Sequence, residues 1–187
     1  MPNNPQTFYF GGSRTVQPQT AEHATIAAVT HAAIESGCQI NVGCAIGADA
    51  LVIRCFRPSS FSLLRIFAAF DPSGAGGWSG SAVRLVQRAA QVGASVAWLA
   101  GGALSVPIVA RLMARSVAGL KGASAAVFFF PGHGSLKVAR QAIRQNIPVF
   151  VFGAQPAPMQ GGAFVPAQFL GLSCWQFQPS AVQSSLF

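Results

Sequence analysis

The chain has 187 residues, of which 51% are hydrophobic and 9% are charged, and 12 Lys and Arg against 4 Asp and Glu give a net charge of +8. This length favours one domain with a sizeable core, and the hydrophobic content excludes a disordered chain. No apolar run reaches the ~18 residues that a membrane span needs, and the first ten residues lack the basic and apolar regions of a signal peptide. We therefore expect a soluble cytoplasmic protein with no membrane partner.

The charge balance is unusual because acidic residues are scarce rather than basic ones abundant. A basic protein favours phosphate-bearing partners, since phosphate neutralisation releases counterions. Drift in composition would give the same balance without a partner. The cysteines show no C-x-x-C spacing, and with only three histidines we expect neither a metal site nor a disulfide framework. Buried apolar roles are expected for all four cysteines, Cys38, Cys44, Cys55 and Cys174.

Strand-like and helix-like segments alternate along most of the chain. The predicted strands cover residues 7–10, 39–42, 62–70, 95–99, 123–130 and 148–152, and the predicted helices cover residues 20–36, 49–54, 81–92, 106–120 and 136–145. This alternation predicts an α/β fold, with a doubly wound, mostly parallel sheet and helices on both faces. We assign residues 1–153 to this domain.

Residues 154–187 differ in composition, since they are rich in Gln, Pro, Gly and aromatic residues and poor in charge. We predict an extended C-terminal segment that packs on the domain or extends from it, with an edge strand at residues 173–177. An apolar patch on this segment would suit a protein partner.

Three small-residue loops follow predicted strands. In a parallel sheet such loops meet at the carboxyl edge, where helix N-termini attract anions and where α/β sheets bind ligands. Asp49 adds a carboxylate suited to capping its helix or to binding a sugar hydroxyl. The loops predict a groove for a nucleotide or a nucleic-acid backbone, lined by Gly11, Gly12, Ser13 and Arg14, by Gly43, Cys44, Ala45, Gly47 and Asp49, and by Gly132, His133, Gly134 and Ser135.

Basic residues recur at helical spacing after the third of these loops. Lys137, Arg140 and Arg144 share one helix face, where they would flank a bound nucleic acid. Similar pairs of arginines occur at positions 54 and 57, 84 and 88, and 111 and 115. We expect each pair to be either solvated or bound to phosphate. Trp78, in a Gly-rich loop, is the better candidate for stacking on a base, whereas Tyr9 is expected in the sheet core.

The quoted motifs resemble the SLOG superfamily over residues 7–153, and the DNA-processing protein DprA more than other members. The matching stretches are the GSR loop at residues 12–14, GCAIGAD at 43–49, Arg115-Ser116 before a small-residue helix end, and GSL at 134–136. Ser116 stands where the family pattern has Asn. The resemblance implies a Rossmann-like fold, single-stranded DNA binding, a homodimer, and phosphate contacts from Arg115 and Ser116.

The LOG-type phosphoribohydrolases resemble this chain more distantly. Their P-G-G-x-G-T-x-x-E motif corresponds to residues 131–138, where Val138 or a neighbour replaces the glutamate, and no acidic residue follows Asp71. A carboxylate for acid–base chemistry is therefore missing from that half of the chain. We predict no catalytic residue and no cofactor.

The sequence leaves three hypotheses about function open. The first is non-enzymatic binding of single-stranded DNA or RNA in the predicted groove. The second is a sensor or hydrolase of a small nucleotide that uses the same groove. The third is a structural subunit that binds a larger complex through residues 154–187.

Overall fold

The computed structural model describes residues 6–180, which form one mixed sheet with helices packed on both faces. Its strands are β1 (Thr7–Gly12), β2 (Gln39–Val42), β3 (Leu64–Phe67), β4 (Ser95–Ala97), β5 (Ala125–Phe129), β6 (Val149–Phe152), β7 (Gly162–Phe169) and β8 (Leu172–Pro179). Its α-helices are α1 (Ala21–Glu35), α2 (Ala48–Arg54), α3 (Gly80–Gln91), α4 (Ile108–Leu120) and α5 (His133–Arg144). The predicted α/β fold with a doubly wound sheet is confirmed.

The strand order is β4-β3-β2-β1-β5-β6-β8-β7, and β1 to β6 are all parallel. The chain builds outward from β1 to β4 and then returns to the other side of β1 for β5. Strands β1 and β5 are neighbours in the sheet, and the loops that follow them therefore lead away from each other. This topological switch point opens a crevice at the carboxyl edge, where α/β sheets bind ligands.

Strand side chains alternate between two hydrophobic clusters. Phe8 and Phe10 of β1 pack in the cluster that contains α1, α2 and α3 residues, whereas Tyr9 points to the opposite cluster with Phe128 and residues of α5. Every residue of β5 is buried. A strand between two helical layers needs apolar residues on both faces, which explains the uninterrupted AAVFF sequence.

The C-terminal part of the sheet differs from the sequence prediction. Residues 162–179 form a hairpin in which β7 and β8 are antiparallel, and β8 also pairs antiparallel with β6. The segment predicted as an edge strand is thus an interior strand, and β7 is the edge. The aromatic residues Phe164 and Phe177 join the hairpin to the core, with ring centroids 5.5 Å apart. Residues 181–187 of the predicted segment lie outside the described part.

Two element boundaries also differ in ways that matter for the site. Helix α5 begins at His133, three residues before the predicted start, so its first turn contains the glycine loop itself. Strand β3 ends at Phe67, and residues 68–70 already belong to the following loop. Within residues 6–180, none of the helices has the length and apolar character needed to span a membrane.

Candidate functional site

A cleft of about 370 Å³ lies at the switch point between β1 and β5. We call it the switch-point cleft. The loop after β1, the first turn of α5 and one face of α4 form its walls. Twelve of the predicted groove residues line it: Gly11, Gly12, Ser13, Arg14, Ala45, Asp49, Arg115, Ser116, Gly132, His133, Gly134 and Ser135.

Direct hydrogen bonds hold two walls of the cleft together. The Ser135 hydroxyl donates to the Gly12 carbonyl at 2.7 Å, and the Ser13 amide donates to the Phe129 carbonyl at 3.0 Å. The Ser13 hydroxyl is 2.8 Å from that of Thr15 and accepts the Thr15 amide. These bonds fix the loop after β1 against the start of α5.

The first turn of α5 presents an open surface to the cleft. No side chain within residues 6–180 caps this turn, although the first amides of a helix need acceptors from outside it. A Cβ built at Gly132 or Gly134 would meet nothing within 4 Å. The turn therefore offers space, amide donors and the positive end of a helix dipole.

A buried ion pair forms part of the cleft lining. Arg115 Nη2 lies 3.0 Å from Asp49 Oδ2, and each side chain is only 6% exposed. The Asp49 oxygen also accepts the Ala45 amide at 3.1 Å. Burial by itself disfavours the charged guanidinium, but Asp49, Cys44 and Tyr9 together favour it more strongly, so the pKa of Arg115 is raised.

Arg115 is incompletely satisfied by the protein. Its Nε and Nη1 atoms are buried and have no hydrogen-bond partner among the described residues. A buried donor without an acceptor costs about 1–3 kcal/mol, so such groups are rare unless another molecule supplies the acceptor. Arg115 thus keeps two donors without a protein acceptor among the described residues, and it lines the same cleft as the first turn of α5.

Three predicted groove residues lie outside the cleft lining. Gly43 is covered by the Arg115 guanidinium, which occupies the place of a Cβ at that position. Gly47, at φ 75°, lies against the Ser13 carbonyl and the Arg14 backbone, and the adjacent Ala48 amide donates to Ser13. Cys44 is buried, and its sulfur accepts the Ala69 amide. These small residues permit close approach of the chain to itself.

The basic residues predicted to flank the groove also lie outside its lining. Lys137, Arg140 and Arg144 are exposed on α5. The pair at positions 111 and 115 is buried rather than solvated, and for Arg111 the phosphate alternative is wrong as well. Arg111 is buried and donates to the carbonyls of Val106, Ala69 and Gly76, which makes it a structural residue.

An apolar wall of the cleft was missed by the sequence analysis. It contains Val109, Leu112 and Met113 of α4, together with Phe128 and Val138. Val109 is 77% exposed, which is unusual for a large apolar residue. The sequence did contain a signal for this wall, because residues at the helical spacing of three and four share one face of α4, namely those at positions 109, 112, 113 and 116. Thr15 and Tyr9 complete the lining; Tyr9 is buried in the core, as predicted, but also borders the cleft.

Trp78 contacts the site through Arg14. The Arg14 guanidinium lies over the Trp78 ring, 5.3 Å from its centroid, and Trp78 is 43% exposed. Arg14 lines the cleft, whereas Trp78 does not. Such a cation–π contact orients an otherwise mobile arginine.

No protein-family profile and no curated protein matches the sequence. Solved structures do match. DNA processing protein A from Helicobacter pylori, reported with a unique single-stranded DNA binding mode, superposes with a TM-score of 0.66 at 15% identity, over 81% of this chain and 66% of that one. DprA from Streptococcus pneumoniae superposes with a TM-score of 0.59 at 13% identity, over 80% of this chain and 51% of that one.

The chain therefore spans about two thirds and one half of these two proteins. At such low identity the similarity concerns the fold. The protein has a Rossmann-like fold similar to that of the DprA proteins.

Proposed function

We propose that the protein binds single-stranded nucleic acid in the switch-point cleft and does so without catalysis. The observation that carries this proposal is the buried Arg115 guanidinium, which has two unpartnered nitrogens and lies in the same cleft as the first turn of α5. A phosphate group would accept hydrogen bonds from both Arg115 and the helix amides, and its charge suits both.

The other features of the cleft suit the rest of a nucleotide. The apolar wall of α4 offers Leu112 and Met113 to one face of a base, and the Ser13 and Thr15 hydroxyls can bond sugar or phosphate oxygens. A base that leaves a single strand is free to enter such a wall, whereas a paired base is not. This favours single-stranded over double-stranded nucleic acid.

The surrounding surface supports a polyanionic partner. Ten of the twelve Lys and Arg side chains are exposed, and Arg115–Asp49 is the only ion pair within residues 6–180. The exposed cations are therefore available to phosphates. The fold similarity to a single-stranded DNA binding protein from Helicobacter pylori makes DNA the first ligand to test.

The cleft lacks a free carboxylate for acid–base catalysis among the described residues. Asp49 is its only carboxylate among the described residues, and that group is already bound to Arg115 and to the Ala45 amide. A general acid or base must reach and exchange a proton with the substrate. This arrangement favours binding over hydrolysis.

Gly134→Asp tests the proposal by placing a negative charge in the first turn of α5. The position has room for the side chain, and an acidic residue near a helix N-terminus stabilises the helix, so the fold is expected to persist. Fluorescence anisotropy with a labelled oligothymidylate should show at least about tenfold weaker binding, equivalent to ~1.4 kcal/mol.

Gly134→Asn is the matched control, because it adds a similar volume without the charge. Binding by the wild-type protein should fall with salt, by about 0.7 in the log–log slope for each phosphate contacted. Equal affinity of the Asp and Asn variants, or a flat salt dependence, would overturn the proposal.

A sensor of a small nucleotide is the second candidate, and the size of the cleft favours it. A volume of about 370 Å³ with one apolar wall suits a single nucleotide. A thermal-shift series decides between the two. Stabilisation that grows with oligonucleotide length supports strand binding, whereas stabilisation by one mononucleotide alone supports the sensor.

A further inference from the structure

A second cleft of about 250 Å³ adjoins the first. It lies between the loop after β1, helix α2 and the start of α3, and we call it the α2–α3 cleft. Arg14 lines both clefts. The two concavities thus meet at one exposed arginine rather than lying on separate parts of the surface.

The α2–α3 cleft carries positive charge. Arg14 and Arg54 line it and are both exposed, and Gln17 adds an amide. None of its lining residues is acidic within residues 6–180. Neither arginine has a carboxylate partner, because Arg115–Asp49 is the only ion pair in the described part of the chain.

Arg14, which lines both clefts, contacts an aromatic ring that lines neither. Arg14 stacks over Trp78, and 43% of the tryptophan surface remains exposed. An exposed aromatic next to a cationic groove is the arrangement by which single-stranded nucleic acids are bound, since bases stack on the ring and phosphates follow the cations.

We propose that the α2–α3 cleft is a second nucleic-acid subsite, into which a single strand held in the switch-point cleft continues. The strand crosses Arg14 and Trp78, a base stacks at Trp78, and Arg54 contacts a phosphate. This inference rests on the proposed function and adds the path that the strand takes from the switch-point cleft to the α2–α3 cleft. It implies that a mononucleotide uses one cleft and that only a longer strand uses both.

Arg54→Ala tests the subsite, with Arg57→Ala as the matched control. Both arginines are exposed and close in sequence, but Arg57 lines neither cleft. Binding is measured by anisotropy competition over a series of oligothymidylates, from the dinucleotide upward. Arg54→Ala should weaken the binding of long oligonucleotides about fivefold and lower the salt slope by about 0.7, while leaving binding of the dinucleotide unchanged. Arg57→Ala should behave as wild type throughout.

Tryptophan fluorescence gives an independent readout of the crossing point. Long oligonucleotides should quench part of the emission, and Trp78→Phe should abolish that part, whereas the dinucleotide should quench little. Trp78→Ala should weaken binding of the long oligonucleotides several-fold.

The outcomes separate this inference from the proposed function. If Arg54→Ala and Trp78→Ala bind long strands as wild type does while Gly134→Asp does not, the strand stays out of the α2–α3 cleft and only the present inference falls. If the wild-type protein binds no oligonucleotide, or if Gly134→Asp has no effect, both fall.

Discussion

Arg115 and Asp49 are the residues whose burial matters most for the site. Removing one partner of a buried ion pair leaves an uncompensated charge, whereas replacing both with apolar residues often restores stability. The spacing of two charged residues along the sequence does not show whether they meet. The sequence thus led to the prediction that Arg115 contacts phosphate, but it did not indicate that Asp49 is the partner of Arg115.

Asp49→Ala should lower the free energy of unfolding by about 3 kcal/mol. The double variant Asp49→Leu with Arg115→Met should recover much of this loss but should not recover nucleic-acid binding. Urea denaturation with anisotropy on the same samples measures both properties. Glu35→Ala, at an exposed site, is the control and should change stability by less than about 0.5 kcal/mol. A loss below about 1 kcal/mol for Asp49→Ala would contradict a buried pair.

Tyr9 offers a pH-dependent probe of the same region, because it is the only tyrosine of the chain. Burial raises the pKa of Tyr9 to about 12, although the nearby Arg115 acts in the opposite direction. The folded state holds the phenol proton more tightly than the unfolded state, whose pKa is near 10.0. The resulting stability is complete below pH 10 and is lost as the pH rises towards 12.

The ultraviolet absorbance of tyrosinate should therefore show no inflection near pH 10 in the folded protein. Tyr9→Phe should flatten the loss of stability between pH 10 and pH 12. Burial also raises the pKa of the Cys55 and Cys174 thiols to about 11, so some loss of stability from pH 9 upward should persist in the variant. A native titration centred near pH 10 would contradict the buried placement of Tyr9.

At the scale of elements, alternation of strands and helices was readable because the parallel strands are short and apolar and because α1 has a clear start signal. Thr20 illustrates this, since its hydroxyl accepts the His23 amide and caps α1 as expected from the sequence. The hairpin was harder to read. Pro166 lies within β7. Proline has no backbone N–H to donate to a neighbouring strand, so its presence argued against a strand, but an edge strand such as β7 tolerates it.

The loops were predicted in the right place, but their glycines serve two purposes. Gly132 and Gly134 face open space, whereas Gly43 and Gly47 make room for Arg115 and the loop after β1. Composition does not separate these uses, because both require a missing Cβ. The difference depends on contacts between residues far apart in the sequence.

Arg111 joins elements that the sequence does not connect. It reaches from α4 to carbonyls in the loop after β3 and in the segment before α4. Arg111→Lys keeps the charge but replaces a planar fork of five donors with a single ammonium group. We expect a loss of about 2 kcal/mol in the free energy of unfolding, since buried carbonyls lose their donors. Arg88→Lys, at an exposed site on α3, is the control, and equal stability of the two variants would argue against this role.

At the scale of the whole molecule, the excess of exposed cations predicts behaviour during purification. The protein should carry nucleic acid when prepared at low salt and release it at high salt, because binding to phosphates depends on counterion release. The ratio of nucleic-acid to protein absorbance measures this. Gly134→Asp should carry less nucleic acid than Gly134→Asn, which separates the cleft from the general charge. Equal loads would assign the effect to net charge alone.

Other expectations at this scale stay predictions. They are a homodimer, a cytoplasmic location and a protein partner for residues 154–187. The structure gives the hairpin of that segment a role within the sheet, since β8 pairs with β6. A partner of the hairpin at residues 162–179 would therefore meet the sheet edge formed by β7.

The position of β1 has a consequence for how the chain acquires its structure. Of the eight described strands this one is made first, but it lies in the middle of the sheet, and it pairs with β5, which follows more than 110 residues later. Until residues 125–129 are available, Phe8 and Phe10 lack one of their two neighbouring strands. Pairing so remote in sequence is slow and leaves apolar surface uncovered in the meantime. The central strand of the finished protein is thus the segment of the nascent chain that waits longest for its second neighbour.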